Sequence, residues 1–225
     1  MMSVSAFPPV ELADEDGVLC VGGDLEVETL RLSYRSGIFP WPISAEYPMV
    51  WFAPPQRALL FVNEVRIPRS LRRERKKAWT FSCDSAFSDV IESCRSVPRQ
   101  KKKKKTWITA DMLDAYTRLH AAGSCHSVET WYEGQLAGGL YGVAIGRMFA
   151  GESMFHRVSN ASKLALWYLI ERISDWGGEW IDCQQLTPLL QSFGAREVPR
   201  EQFMELLSEA TRSEDTLFLT NSPPC

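Results

Sequence analysis

The sequence predicts an α+β protein, with a small irregular N-terminal domain over residues 1–57 and a mixed-sheet domain over 58–225. Three observations carry this reading. Short apolar runs alternate with segments of helical period. Two of the runs flank a two-residue Glu133-Gly134 turn, the signature of an antiparallel hairpin. Turn formers crowd the first 57 residues, from Phe7-Pro8-Pro9 through Gly22-Gly23 to Pro54-Pro55. Strands and helices mixed with hairpins argue against a doubly wound parallel sheet.

In chain order, Asp24 is placed to cap a helix that carries Leu25, Leu30 and Tyr34 and ends at Gly37. Residues 58–62 and 79–83 read as strands. A helix from Asp84 sets Phe87, Val90, Ile91 and Cys94 on one face. The lysine run 101–105 reads as a loop. Thr109 caps a helix burying Met112, Leu113, Tyr116 and Leu119 and ending at Gly123. The hairpin spans 125–132 and 135–145, and 147–152 adds a third antiparallel strand. Asn160 caps the clearest helix, with Ala165, Leu166, Leu169, Ile170, Ile173 and Trp176 on one side and Gly177 at its end. A strand at 179–184, short helices at 187–193 and after Pro199 as a first-turn proline, and a last strand at 216–220 complete the reading.

Composition narrows the function. Of 225 residues, 45% are hydrophobic and 24% charged, which excludes a disordered chain. No run is apolar enough to span a membrane, and residues 1–9 lack the basic and apolar regions of a secretory signal, so a cytoplasmic protein is expected. The six cysteines contain no CxxC pair and the three histidines have no ligand-spaced partner, so reduced thiols and no metal are expected. The net charge of −3 hides segregation: residues 57–105 carry 15 Lys+Arg against 5 Asp+Glu. Such a segment is either a footprint for a polyanion or a solvated face with a lysine loop.

Several stretches combine Gly, Trp and single polar residues. In Ile181-Asp-Cys-Gln184, strand alternation puts Asp182 and Gln184 on one face and Ile181 and Cys183 on the other. A carboxylate beside an amide can hold a polar substrate and pass a proton, as can Glu152 after Phe149-Ala-Gly151; both carboxylates also read as ion-paired structural residues. Cys183 reads as core.

These stretches, in order, are Asp16-Gly-Val-Leu-Cys-Val-Gly-Gly-Asp24, Gly37-Ile-Phe-Pro-Trp41, Arg69-Ser-Leu71, Thr106-Trp-Ile108, His126-Ser-Val-Glu129, Gly138-Gly-Leu-Tyr-Gly-Val143, Gly151-Glu-Ser-Met-Phe155, Asn160-Ala-Ser-Lys163, Ile181-Asp-Cys-Gln184 and Ser192-Phe-Gly-Ala195. Together they resemble the bacterial leucyl/phenylalanyl-tRNA–protein transferases over about residues 7–207. The resemblance implies an acetyltransferase-like (GNAT-type) catalytic domain. It also implies transfer of Leu or Phe from aminoacyl-tRNA to acceptor proteins with an N-terminal Arg or Lys, marking them for N-degron proteolysis. Asp182, Gln184 and Glu152 would then serve the acceptor amine, and Trp41 and Trp107 would stack the terminal adenine. Leu140 and Leu166 match pocket positions for the aminoacyl side chain, with Met154, Phe155, Leu169 and Ile173 as further candidates. Arg66, Arg69, Arg72, Arg73, Arg75, Lys76 and Lys77 would track tRNA phosphates.

An activated ester needs no ATP, cofactor or metal, and a monomer is expected. The chain departs from the family pattern at Lys101–Lys105, at Thr187-Pro-Leu-Leu190, where a polar stretch is expected, and at His156, where Ser is expected. The rivals are a transferase for acidic N-termini, a non-catalytic tRNA-binding module, and an acyl-CoA N-acyltransferase. The last needs a pyrophosphate-cradling loop of the R/Q-x-x-G-x-G/A kind, which precedes none of the predicted helices.

Overall fold

The computed structural model describes residues 4–43, 47–96 and 106–212. Three short strands, β1 (Val18–Val21), β2 (Phe39–Pro40) and β3 (Val50–Phe52), form a small sheet in the order β1-β3-β2. The main sheet contains β4 (Gln56–Phe61), β5 (Trp79–Cys83), β6 (Cys125–Tyr132), β7 (Gln135–Ile145), β8 (Met148–His156), β9 (Trp180–Gln184) and β10 (Arg196–Pro199). Its order is β10-β4-β9-β8-β7-β6-β5, antiparallel except for the β8–β9 pair. The helices are α1 (Val27–Arg35), α2 (Arg69–Glu74), α3 (Phe87–Ser96), α4 (Ala110–Ala121), α5 (Ala161–Asp175), α6 (Pro188–Phe193) and α7 (Arg200–Ala210). This is the α+β architecture expected.

Each face of the main sheet has its own apolar core. On one, Tyr141, Val143 and Leu59 meet Leu30 and Tyr34 of α1, Val90 and Ile91 of α3, Met112 and Tyr116 of α4 and Phe203 of α7. On the other, Leu140, Ala144, Phe149 and Ile181 meet Leu164, Leu166, Leu169 and Ile173 of α5 and Phe193 of α6. The N-terminal elements therefore share a core with α3, α4 and α7.

Local chemistry explains most boundaries. Thr109 Oγ1 accepts from Met112 N at 3.2 Å, and Thr187 Oγ1 from Leu190 N at 3.2 Å, so both hydroxyls cap their helices. Gly37 follows α1 at φ 75, a conformation that favours glycine, and a Cβ there would meet Met204 Sδ at 2.6 Å.

Three expected starts are corrected, and a fourth stands without its side-chain cap bond. Asp24 accepts from Glu26 N at 2.9 Å, but Glu26 is the N-cap of α1. Asp84 is turned to φ 54 and its carboxylate accepts from Ser127 N at 2.8 Å, so α3 begins at Phe87. Asn160 is the N-cap of α5 as expected, and its carbonyl accepts from Leu164 N at 2.9 Å, but it is left-handed at φ 70 and its side chain accepts from Lys163 Nζ at 3.3 Å rather than from a helix N–H. Pro199 ends β10 and is the N-cap of α7, not its first-turn residue. The strand expected at 216–220 and the lysine loop 101–105 lie outside the described residues.

The β8–β9 pairing creates the site. These strands run parallel, but only Phe149↔Ile181 and Ala150↔Asp182 are in register. Beyond them β8 continues to His156 and β9 to Gln184, and the sheet parts between them. Two bulges accompany the parting. Tyr141 pairs with Ser153 and Gly142 with Gly151, leaving Glu152 as the extra residue. Ala58 pairs with Gln184 and Leu59 with Asp182, leaving Cys183 as another. A bulge re-aims side chains, and bulges are common beside functional sites.

Candidate active site

A cavity of about 630 Å³ opens where β8 and β9 part. Leu140, Met154, Phe155, Leu166, Leu169 and Ile181 form its apolar wall. Ile173 is not part of that wall: it is fully buried on α5, with Gly178 packed against it. Trp41 and Trp107 also line the cavity, stacked on each other with centroids 5.3 Å apart and planes within 13°.

The polar end is built around Glu152. Its Oε1 accepts from Tyr34 Oη at 2.7 Å and from Gln184 Nε2 at 2.7 Å. Its Oε2 accepts from Tyr116 Oη at 3.1 Å, and the two phenols lie 2.5 Å apart. Burial pushes the Glu152 carboxyl from 4.5 up to about 7, outweighing the three hydrogen bonds that lower it; the neighbouring Asp182 charge adds to the rise. Burial and the Glu152 charge likewise raise both phenols, so Tyr34 and Tyr116 stay protonated as donors.

Asp182 sits behind this end and is not among the cavity-lining residues. It is 0% exposed, and Arg57 is 2% exposed. Arg57 Nε and Nη2 reach Asp182 Oδ1 and Oδ2 at 2.8 and 2.6 Å. Asp182 Oδ1 also accepts from Gln184 N at 2.9 Å. Simple alternation does not survive the bulge: Gln184, at φ 57, reaches the cavity together with Ile181 and Cys183. The expectation that Cys183 is core is thus corrected, although burial and the Asp182 charge raise its thiol far above the usual range and keep it protonated.

Two histidines do find a ligand-type partner, a further correction. Asp84, His120 and His126 bring donor atoms within 4.8 Å of one another. Both histidines also bond within the protein: His126 Nδ1 lies 2.7 Å from Asp84 Oδ2, and His120 Nδ1 lies 2.7 Å from Cys125 O.

Arg66, Arg69, Arg72, Arg73, Lys76 and Lys77 are exposed on and beside α2, whose Leu71 joins the core beneath α5. Arg75 differs. Its guanidinium donates to both Glu171 oxygens at 2.6 Å and lies 4.2 Å from the Trp167 ring centre, so it is held against α5.

Family models give the site its context. One described as leucyl/phenylalanyl-tRNA protein transferase matches residues 59–208, and the N-terminal domain model of the same name matches 23–55. The chain belongs to the leucyl/phenylalanyl-tRNA protein transferase family. A relative of that name from Syntrophobacter fumaroxidans is 51% identical over 204 residues, 90% of this chain and 86% of the relative. Another from Nitrosomonas europaea is 49% identical over 212 residues, 93% of this chain and 89% of the relative. Among solved structures, a GCN5-related N-acetyltransferase from Kribbella flavida aligns at 11% identity and a TM-score of 0.40, over 74% of this chain and 58% of that one.

Two of the three expected departures from the family pattern fall on the cavity itself, where His156, Thr187, Leu189 and Leu190 line it; the third, Lys101–Lys105, lies outside the described residues. Sequence reasoning missed Arg57, Tyr34 and Tyr116 as site residues. The tyrosines carried only the signal of an apolar helix face, and Arg57 that of the basic stretch.

Proposed function

We propose that this protein transfers Leu or Phe from aminoacyl-tRNA to the N-terminal Arg or Lys of acceptor proteins in the cytoplasm, marking them for N-degron proteolysis. One observation carries the reading beyond family membership: an apolar cavity whose polar end is a carboxyl near pKa 7, held by Tyr34, Tyr116 and Gln184. The Leu140, Met154, Phe155, Leu166 and Leu169 wall takes the aminoacyl side chain, and the Trp41–Trp107 stack takes the terminal adenine on its outer face. The exposed α2 residues contact phosphates, with Arg66 and Arg69 at the start of that surface and Arg73 within it.

The acceptor's α-amine, with a pKa of about 8, attacks the ester carbonyl as the free base. Its nitrogen forms the new bond to carbon, and the bond from carbon to the ribose 3′ oxygen breaks. Glu152 receives the amine proton, a step for which a pKa near the working pH is suited. Gln184 orients the carboxylate, and Asp182 supports Gln184 from behind. The departing 3′ oxygen takes a proton with help from the adjacent 2′-OH. The protein acts as a monomer and needs no cofactor for this exchange.

The test offers labelled Phe-tRNA, Leu-tRNA and acetyl-CoA against peptides beginning with Arg, Lys, Asp or Glu. Label is expected only from the two aminoacyl-tRNAs and only on Arg and Lys peptides. Label from acetyl-CoA, or on the Asp and Glu peptides alone, refutes the reading.

A further inference from the structure

We infer that Arg57 is a positioning residue for this transfer: by gripping Asp182 it holds Gln184 in the conformation that delivers the Gln184 amide to Glu152. The inference rests on the function proposed above and concerns how its polar end is kept in shape.

Arg57 has no route to substrate. It is 2% exposed and is not among the cavity-lining residues. Its guanidinium is sandwiched between the rings of Phe39 and Phe203, with centroids at 4.6 and 4.5 Å. Nε and Nη2 bind Asp182, and Nη1 donates to Gly37 O at 3.3 Å. The residue therefore ties together the segment after α1, β2, β4, β9 and α7.

A buried ion pair is a poor device for stability, because desolvation offsets its attraction and apolar replacements are often as stable. Its value here lies in geometry. Bidentate contact fixes the Asp182 carboxylate in both position and plane. Asp182 Oδ1 then accepts from Gln184 N at 2.9 Å. Gln184 sits at φ 57, a left-handed backbone that a β-substituted residue adopts only when its surroundings impose it. That turn brings Gln184 Nε2 to Glu152 Oε1 at 2.7 Å, on the cavity wall. Asp182 thus acts through Gln184, and the groups meeting Glu152 are Tyr34 from α1, Tyr116 from α4 and Gln184 from β9.

The test measures transfer of Phe from Phe-tRNA to an Arg-terminated peptide from pH 5.5 to 9, with melting curves as folding controls. D182N keeps an acceptor oxygen for Gln184 N and Arg57 Nε but sets an amide donor against Arg57 Nη2, so it loses half of the fork. Its kcat is expected to fall about tenfold with the acid limb near pH 7 retained, whereas D182A falls about a hundredfold, the scale of a small misplacement. R57K keeps the charge but loses the fork. Its kcat is expected to fall at least about tenfold while KM for Phe-tRNA stays within about twofold, with the acid limb unmoved. E152Q removes the Glu152 limb and leaves only that of the acceptor amine, at about 8.

If D182N loses the limb and is as inactive as D182A, Asp182 is itself the titrating group and the inference fails. Wild-type kcat in R57K also overturns it. Should R57K not fold, the comparison of D182N with D182A decides. A wild-type protein that transfers nothing overturns the functional reading, and the positioning role with it; a wild-type protein that transfers while the variants behave otherwise overturns only the latter.

Discussion

Replacing Glu152 by Gln should stabilise the protein above neutral pH and leave it unchanged in acid. The amide fits the bonds already present. In E152Q the side-chain oxygen can accept from Gln184 and Tyr34, the new amide nitrogen can donate to Tyr116 Oη, and that phenol, 2.5 Å from Tyr34 Oη, can donate onward. What changes is charge. The carboxyl rises from 4.5 to about 7 in the folded protein, which corresponds to about 3 kcal/mol against the ionised form as an upper bound. The sign follows from linkage: a carboxyl with a raised folded pKa contributes stability that is complete below about 4.5 and lost as pH rises through about 7. The variant lacks this loss. Urea unfolding at pH 4.5, 6, 7 and 8 should therefore show E152Q equal to wild type at the lowest pH. The gap should widen through pH 7 and level off at no more than about 3 kcal/mol. A difference independent of pH, or a variant less stable at pH 8 than at pH 4.5 relative to wild type, would refute the account of Glu152 as a carboxyl held neutral by burial.

Two further outcomes test the outer parts of the site. W107A and W41A should each weaken binding of an aminoacyl-adenosine by about 1–3 kcal/mol, measured by calorimetry, and unchanged affinity would make the two rings packing residues only. Replacing Arg72, Arg73, Lys76 and Lys77 by Ala should lower affinity for full-length tRNA and flatten the slope of log K against log salt by about 0.7–0.9 per lost contact. The same variant should bind the aminoacyl-adenosine unchanged; equal weakening of both ligands would mean these residues act through the fold.

Much of the architecture is local in origin and could be read directly. The β6–β7 hairpin is marked by Glu133-Gly134 between alternating runs, and its strands fall at Cys125–Tyr132 and Gln135–Ile145 as expected. Thr109 caps α4 through its own hydroxyl. The ordered motifs marked the family, and most of the apolar candidates line one cavity. Other features depend on which strand pairs with which. Glu152 and Cys183 are bulge residues, and an extra residue is visible only against the partner strand's register. That is why alternation assigned Cys183 to the core and coupled Asp182 to Gln184 on one surface. β10 went unseen because Arg196 and Glu197 carry no apolar pattern; their place on the sheet edge comes from pairing with Leu59 and Ala58. Arg57 stood among fifteen basic residues and looked like surface, yet it is buried beside the site against Asp182. By itself the sequence determined the elements, the family and the chemical types assembled, because propensity, capping and period act within a few residues. Only the tertiary structure decided which carboxylate meets the cavity and which is locked behind it, because that depends on bulges and buried partners contributed by segments more than a hundred residues apart.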